Sequence, residues 1–205
     1  MKNLSVVELA DLTASKEPVP GGGSIAAVCG GLASSLTEMV AGLTIGKKKY
    51  NDVEEEMVII KERALDLRNL LLDDIEKDSV AFTKVMDAFG MPKSTDEEKA
   101  NRSRSIQEGL KEAAKTPYAV ATKAFDVMVL AAIVVEKGNK NAQTDGLVSL
   151  MLGRTAVLSA LLNVQVNLDS IKDEEYVNQM AHYVQELKQK TMALEDKVMG
   201  EYSLI

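Results

Sequence analysis

The stretch PVPGGGSIAAVCGGLASS, residues 18–35, leads from two prolines through three glycines into a run of small and apolar residues. Residues that precede proline favour extended backbone, so this segment begins as a linker. From Ser24 the apolar spacing is helical, and we expect this helix to continue to about Ile45. Glycine inside a helix costs about 1 kcal/mol relative to alanine. Gly30 and Gly31 therefore predict the close approach of another helix or of a ligand.

Helical periodicity continues on both sides of this stretch. No segment of the 205 residues shows the sustained two-residue alternation that is typical of a strand. Two capping boxes, Ser5 with Glu8 and Thr95 with Glu98, predict helix starts, because side chain and backbone satisfy each other's groups there. We expect one domain over residues 1–205, all-α in class, built as a single-domain bundle of about five long helices.

Glycine and proline mark the expected helix ends. The sequence Gly90-Met91-Pro92 predicts the end of a helix that begins near Asp52, and Pro117 should kink or divide the helix that follows. A polar turn, GNKNAQTDG at residues 138–146, precedes an apolar helix. A charged amphipathic helix over residues 173–200 completes the bundle.

The composition excludes several classes of function. Lys and Arg number 24 against 31 Asp and Glu, and the net charge of −7 argues against a nucleic-acid-binding surface. One cysteine, Cys29, and one histidine, His182, cannot form an internal disulfide or a zinc site of the usual kinds, and we expect no metal site. The most apolar window, residues 147–168, is interrupted by Arg154, which indicates a buried helix. With no secretory signal evident, we expect a soluble, cytoplasmic protein without a membrane partner.

Three consecutive glycines, Gly21, Gly22 and Gly23, stand immediately before Ser24 at the start of the first long helix. A helix N-terminus offers unpaired backbone N–H groups, and glycine lets an anion or a flat ring approach them closely. Two interpretations are open: a ligand lies against this turn, or the glycines form a flexible linker with Ser24 as the N-cap.

Three lysines and a tyrosine, Lys47, Lys48, Lys49 and Tyr50, follow the end of the same helix. Cations at this position complement the negative helix terminus, so one interpretation is a solvated C-terminal cap. The other is an electropositive rim for a carboxylate or phosphate group, with Tyr50 as a stacking face.

Asp78 lies on the apolar side of the second long helix, eighteen residues or five turns after Ile60, in a stripe that Phe82 and Phe89 share. A carboxylate among apolar side chains loses hydration, which raises its pKa unless a cation or donors compensate. Perturbed carboxylates are typical of acid/base and ligand-binding residues. The alternative is a structural carboxylate bonded to a helix terminus or to an arginine. Asp74 partly shares the stripe and is the other candidate for the inward position.

The polar turn at residues 138–146 and the helix after it carry the remaining candidates. The turn concentrates the donors and acceptors of Asn139, Asn141, Gln143, Thr144 and Asp145. Either of the last two can instead cap the next helix. Asn163 and Asn167 lie one turn apart in that apolar helix. Because buried amides need partners, they either bridge helices or line a polar pocket.

Five segments in chain order resemble one known family: PVPGGGSIAA at 18–27, LTIGKKKY at 43–50, Asp78 with Phe82, GNKNAQTD at 138–145, and NVQVN at 163–167. Together they resemble the cyclodeaminase/cyclohydrolase family. That family contains the cyclodeaminase domain of formiminotransferase-cyclodeaminase and the single-domain bacterial methenyltetrahydrofolate cyclohydrolases. The resemblance covers nearly the whole chain.

The resemblance implies an all-α subunit that forms a homodimer, binds a reduced folate and needs no metal or other cofactor, the tetrahydrofolate derivative being the substrate. Members close 5-formimidoyltetrahydrofolate to 5,10-methenyltetrahydrofolate with loss of ammonia, or interconvert 5,10-methenyl- and 10-formyltetrahydrofolate with water. Both reactions stay open here. The alternative from another class is a non-catalytic helical folate-binding or dimerisation module.

Transferred to this sequence, the matching positions form one expected site. We expect Asp78 to move protons, with Asp145 as a second carboxylate and Lys49 as a proton donor. Lys47 or Lys48 would meet the glutamate carboxylates of the folate. The other expected substrate-binding residues are Gly21, Gly22, Gly23, Ser24, Tyr50, Phe82, Asn139, Asn141, Thr144 and Asn163.

Overall fold

The computed structural model describes residues 1–202, which form six helices, five of them long, and no strand. The helices are α1 (Val6–Thr13), α2 (Gly22–Gly42), α3 (Glu54–Gly90), α4 (Asp96–Lys137), α5 (Gln143–Leu168) and α6 (Glu174–Met199). Short 3₁₀ turns, Lys48–Val53 and Lys140–Ala142, precede α3 and α5. The expected all-α bundle is confirmed.

Both capping boxes form as the sequence predicts. Ser5 Oγ accepts from the backbone of Glu8 at the start of α1, and Thr95 Oγ1 accepts from Glu98 at the start of α4, with each glutamate reaching back to its cap. The polar turn is shorter than expected, because α5 already begins at Gln143. These starts are local features of the chain, which is why the sequence locates them closely.

Pro117 lies inside a continuous α4, so of the two expected effects, a kink or a division, the division is wrong. A proline inside a helix removes the N–H that would donate to the carbonyl four residues earlier, here Ala113 O. The side chain of Asn167 replaces that donor: its Nδ2 lies 3.1 Å from Ala113 O. A residue of α5 thus completes the hydrogen bonding of α4.

Small residues let α2 pack closely against its neighbours α3, α4 and α5. A β-carbon on Gly30 would lie 3.1 Å from Leu71 and 3.6 Å from Ala124, and one on Gly31 would lie 3.1 Å from Leu72. Both glycines therefore serve helix packing, the first of the two reasons that the sequence leaves open.

The outer sides of α2 and α5 are apolar and exposed. Leu32 and Met39 of α2, and Leu162 and Val166 of α5, are 40 to 70% exposed, and the two helices pack side by side. By length and composition alone, three segments are apolar enough to cross a membrane: Gly22–Gly42, Asp96–Lys137 and Lys140–Leu168. Between 44% and 50% of the most apolar window of each is buried inside the bundle. Residues 147–168, which the sequence predicts as a buried helix, are therefore buried on one side and exposed on the other.

Candidate functional site

A cleft of about 360 Å³ opens where the glycine linker, α3 and α5 meet. Its polar side chains are Asp78, Asn163 and Asn167, and its floor at one end is the backbone of Gly21 and Gly22. Its apolar lining consists of Pro18, Val19, Ala81, Phe82, Val85, Met86, Phe89, Ala113 and Val166. No Lys, Arg or His lines the cleft among residues 1–202. It therefore combines one carboxylate and two amides with an otherwise apolar surface.

Asp78 is seated on the first turn of α2. A β-carbon on Gly23 would overlap its Oδ1, so the carboxylate occupies the space that any other residue at position 23 would fill. Ser24 Oγ lies 3.3 Å from Asp78 Oδ2 and 3.0 Å from Ile75 O. The negatively charged group at the N-terminus of α2 is thus the carboxylate of Asp78, a side chain of the protein.

The glycine linker differs in detail from the sequence expectation. The N-cap of α2 is Gly21, which has no capping side chain, and Ser24 is the third residue of the helix. Ser24 is fully buried and bonds to α3, so the interpretation of Ser24 as an N-cap is wrong. A β-carbon on Gly22 would come within 3.2 Å of Asn163 Nδ2, which brings the linker against α5.

The environment of Asp78 raises the pKa of its carboxyl group above the usual value. Burial is the main cause, because it disfavours the charged form, and hydrogen bonds from the side chain and backbone of Ser24 offset part of the effect. Among the described residues Asp78 makes no ion pair. A carboxylate in this state is a stronger base than an ordinary exposed one.

Asp74, one turn earlier on α3, has the opposite environment. It is only 2% exposed, and both of its oxygens are bound to lysines: Oδ1 to Lys77 Nζ and Oδ2 to Lys123 Nζ, each at 2.6 Å. Asp74 therefore matches the structural alternative, a carboxylate paired across the bundle, although the partner is a lysine. Of the two inward carboxylates, only Asp78 faces the cleft.

Both asparagines of α5 line the cleft, and Asn167 also bridges to α4. Asn167 Nδ2 donates to Ala113 O of α4, and Asn163 Nδ2 donates to Ser159 O within α5, at 2.8 Å. The two roles that the sequence leaves as alternatives therefore coexist in Asn167, whereas Asn163 lines the cleft without bridging helices.

Two aromatic residues of the predicted buried stripe are not buried. Phe82 is 39% and Phe89 45% exposed, whereas Leu71 and Ile75 of the same stripe are buried. Both rings lie in the cleft, where no helix covers α3. Their spacing of seven residues was the available signal. This spacing places both rings on one face of a helix, but it does not show whether that face packs against another helix or opens into a cleft.

The other expected site residues lie at the far end of α2, which has 21 residues and is therefore about 30 Å long. There Asn139 donates from its backbone to Thr44 Oγ1 at 2.9 Å and from Nδ2 to Leu43 O at 3.0 Å. Lys140 N donates to Tyr50 Oη at 3.0 Å. This end of the molecule carries Lys47, Lys48, Lys49, Tyr50, Asn139, Asn141, Thr144 and Asp145.

Within one chain, these eight residues do not share the cleft of Asp78. Thr144 and Asp145 lie in the first turn of α5, whose N-cap is Ala142, so neither is the helix cap. Lys49 Nζ lies 5.6 Å from the centre of the Tyr50 ring. Of the expected site, the structure brings together Asp78, Phe82, Asn163 and the glycine turn through Ser24. Asn167 joins them although it was not among the expected substrate contacts.

The sequence profile described as formiminotransferase-cyclodeaminase matches residues 5–186. The chain belongs to this family. Its cyclohydrolase relative, the methenyltetrahydrofolate cyclohydrolase of Methylorubrum extorquens, is 39% identical over 96% of this chain and 94% of its own length. The resemblance inferred from the sequence motifs is therefore confirmed.

Longer family members and a solved structure agree with this assignment. The formimidoyltransferase-cyclodeaminase of Gallus gallus is 30% identical over 84% of this chain, which corresponds to 32% of the length of that relative. The crystal structure of formiminotetrahydrofolate cyclodeaminase from Thermotoga maritima superimposes with a TM-score of 0.87. It is 35% identical and covers 97% of this chain and 96% of its own.

Proposed function

We propose that this family member is a folate one-carbon enzyme that acts at the bridge between N5 and N10 of tetrahydrofolate. The observation that carries the proposal is Asp78, a desolvated carboxylate without a paired cation, held at the wall of an apolar cleft. The leading reaction is interconversion of 5,10-methenyl- and 10-formyltetrahydrofolate, because the 39% identical cyclohydrolase matches along nearly its whole length. Formation of the methenyl compound from 5-formimidoyltetrahydrofolate is the second candidate, favoured by the superposition on the cyclodeaminase.

In the proposed mechanism Asp78 has two roles: it carries a proton, and it stabilises the positive charge on the bridging carbon. In the hydrolytic direction, water adds to the cationic methenyl carbon while Asp78 takes a proton from that water. The bond from this carbon to N5 then breaks, N5 receives the proton held by Asp78, and the added hydroxyl loses its proton to solvent as it becomes the carbonyl of the formyl group, which stays on N10. The carboxylate also stabilises the positive charge on the bridging carbon, an effect that the low dielectric of the cleft strengthens.

In the deaminating direction, the same carboxylate would receive the proton of N10 as this nitrogen attacks the formimidoyl carbon. A proton is then delivered to the departing ammonia. Phe82 and Phe89 offer rings against which the flat parts of a folate can stack, and Asn163 offers an amide beside the glycine turn. Both reactions place the same bridging carbon beside Asp78.

Absorbance of the methenyl compound gives the test. Purified protein is mixed with 5,10-methenyltetrahydrofolate and, in parallel, with 5-formimidoyltetrahydrofolate, and loss or gain of methenyl absorbance is followed. We expect turnover with at least one substrate, and Asp78→Asn should lower it by at least about a hundredfold, the usual size of an acid/base contribution. The control Asp73→Asn removes a nearby exposed carboxylate and should retain turnover.

Two outcomes would count against this proposal. Absence of turnover with both substrates, together with tight binding of a reduced folate, would identify the non-catalytic binding module instead. Near-normal turnover of Asp78→Asn would remove Asp78 from the mechanism while leaving the activity itself in place.

We also propose a soluble, cytoplasmic homodimer that uses no cofactor beyond its folate substrate. The outer sides of α2 and α5 form one apolar face, and Leu32 and Leu162 are 54% and 69% exposed on it. A twofold interface buries the same patch on both subunits, so an exposed apolar face of this kind suits self-association.

A further inference from the structure

We propose that Asp74 is a positioning residue for the reaction at Asp78: by binding Lys77 and Lys123 it keeps both ammonium groups away from the carboxylate in the cleft. This inference rests on the proposed function. Its basis is the geometry of α3, on which the two aspartates lie one turn apart and the lysines bind only the first.

The distances define the arrangement. Lys77 and Lys123 each contact a different oxygen of Asp74 at 2.6 Å, so both acceptor atoms of this buried carboxylate are engaged. Positions four residues apart on a helix bring their β-carbons to within about 6 Å. A lysine released from Asp74 therefore lies within reach of Asp78, because its four-carbon stem is flexible.

The remaining charged groups near these two carboxylates are few. Beside Asp74, α4 contributes Lys115 and Glu112 in addition to Lys123. At the surface of α3, Asp73 binds Lys2 and Glu76 binds the amino group of Met1.

Around Asp78, the elements that line the cleft contribute no other titratable side chain among residues 1–202. The linker and α2 supply glycines and Ser24, α4 supplies Ala113, and α5 supplies Asn163 and Asn167. The lysines held by Asp74, one turn away on α3, are thus the cations that Asp74→Asn would free beside the base. An ammonium group beside Asp78 would favour its charged form and weaken it as a base.

The test compares three variants by the pH dependence of kcat/KM and, without substrate, by NMR titration of the Asp78 carboxyl group. Asp74→Asn keeps the shape of the side chain but releases the lysines. We expect the acid limb of the profile and the Asp78 titration to move to lower pH by about one unit, the smaller end of the effect of an adjacent opposite charge. The triple variant Asp74→Asn/Lys77→Met/Lys123→Met removes both freed cations and should return both readouts toward those of the original protein.

Asp73→Asn is the matched control, because it removes an exposed carboxylate from the neighbouring position and should shift neither readout. An unshifted Asp74→Asn overturns the inference. So does a triple variant that titrates like Asp74→Asn, since the shift then comes from loss of the carboxylate alone. If Asp74→Asn does not fold, Asp74→Asn/Lys77→Met, which releases only Lys123, takes its place: it has to titrate at lower pH than the triple variant, and equal titration of the two overturns the inference.

The inference and the proposed function fail in different ways. Absence of turnover in every protein, the original included, contradicts the proposed function, and the NMR titration still reports on Asp74. Turnover with an unshifted titration contradicts only the role of Asp74.

Discussion

Position 23 shows how tightly a single residue constrains the candidate site. Only glycine leaves room for the Asp78 carboxylate, because a β-carbon there would overlap Oδ1. The first turn of α2 and the carboxylate are therefore fitted to each other at atomic contact. Of the three consecutive glycines, Gly23 is therefore required by the side chain of Asp78.

Gly23→Ala should therefore displace Asp78, reduce turnover at least tenfold and lower the free energy of unfolding by about 1 to 3 kcal/mol, the usual cost of overpacking. Gly42→Ala, at the other end of α2, is the control. Its β-carbon would approach only the Lys61 side chain, at 3.9 Å, so stability should be unchanged or slightly higher. Urea unfolding followed by circular dichroism measures both. Equal behaviour of the two variants would show that Asp78 is not held by this contact.

Asp78 should also cost stability at neutral pH. Its pKa is raised in the folded protein, so folding favours the protonated form, and the free energy of unfolding falls as pH rises from about 3.9 through the folded-state pKa. Asp78→Asn avoids this loss. We expect the variant to be the more stable protein at pH 7, with the difference vanishing as the pH approaches 3.9. A less stable Asp78→Asn at pH 7 would mean that the bonds from Ser24 outweigh desolvation.

At the scale of elements, α4 depends on α5 for its continuity. Pro117 leaves Ala113 O without its helical donor, and Asn167 supplies one from the neighbouring helix. This contact joins residues 54 positions apart. Pro117 on its own indicates a break, and no local pattern in the sequence reveals the repair.

Asn167→Ala should lower the free energy of unfolding by about 1 to 3 kcal/mol, because a buried carbonyl loses its partner. Pro117→Ala restores a backbone N–H at that position. In the double variant the loss caused by Asn167→Ala should accordingly be smaller than in the original background, and a double-mutant cycle in urea measures the difference. Additive effects would show that the two residues do not share Ala113 O.

The element scale also shows what the sequence can and cannot predict. Helix starts at Ser5 and Thr95 are predicted closely because their signals are local. The inward direction of Asp78 follows from helical periodicity, because periodicity shows which residues share one side of a helix. Grouping Lys49 and Asp145 with Asp78 depends on knowing which ends of helices meet, and that information lies in the packing of α2 between its neighbours.

At the scale of the whole molecule, the expected site residues divide between the two ends of α2, about 30 Å apart. The roles predicted for the lysine end stay predictions. The apolar face of α2 and α5 runs along the bundle between the two ends and includes Val166, which also lines the cleft. A subunit bound to this face would therefore lie beside the mouth of the cleft.

Leu32→Asp should convert the proposed homodimer into monomers, because it places a charge at the centre of the apolar face. Ile59→Asp is the control, since Ile59 is similarly exposed, at 63%, but lies on α3. Sedimentation equilibrium of the three proteins measures the change. A monomeric original protein, or equal dissociation of both variants, would contradict an interface on α2 and α5.

The hydrogen bond from Asn167 that completes α4 also affects which ligand groups Asn167 can bind in the cleft. Both amide hydrogens of Asn167 are already committed, one to Ala113 O and the other to Asn163 O. Only its oxygen is left for a ligand, so Asn167 can accept a hydrogen bond but cannot donate one without breaking one of these two bonds. At this position, a ligand that presents an N–H group to Asn167 is accordingly favoured over one that presents a carbonyl to it.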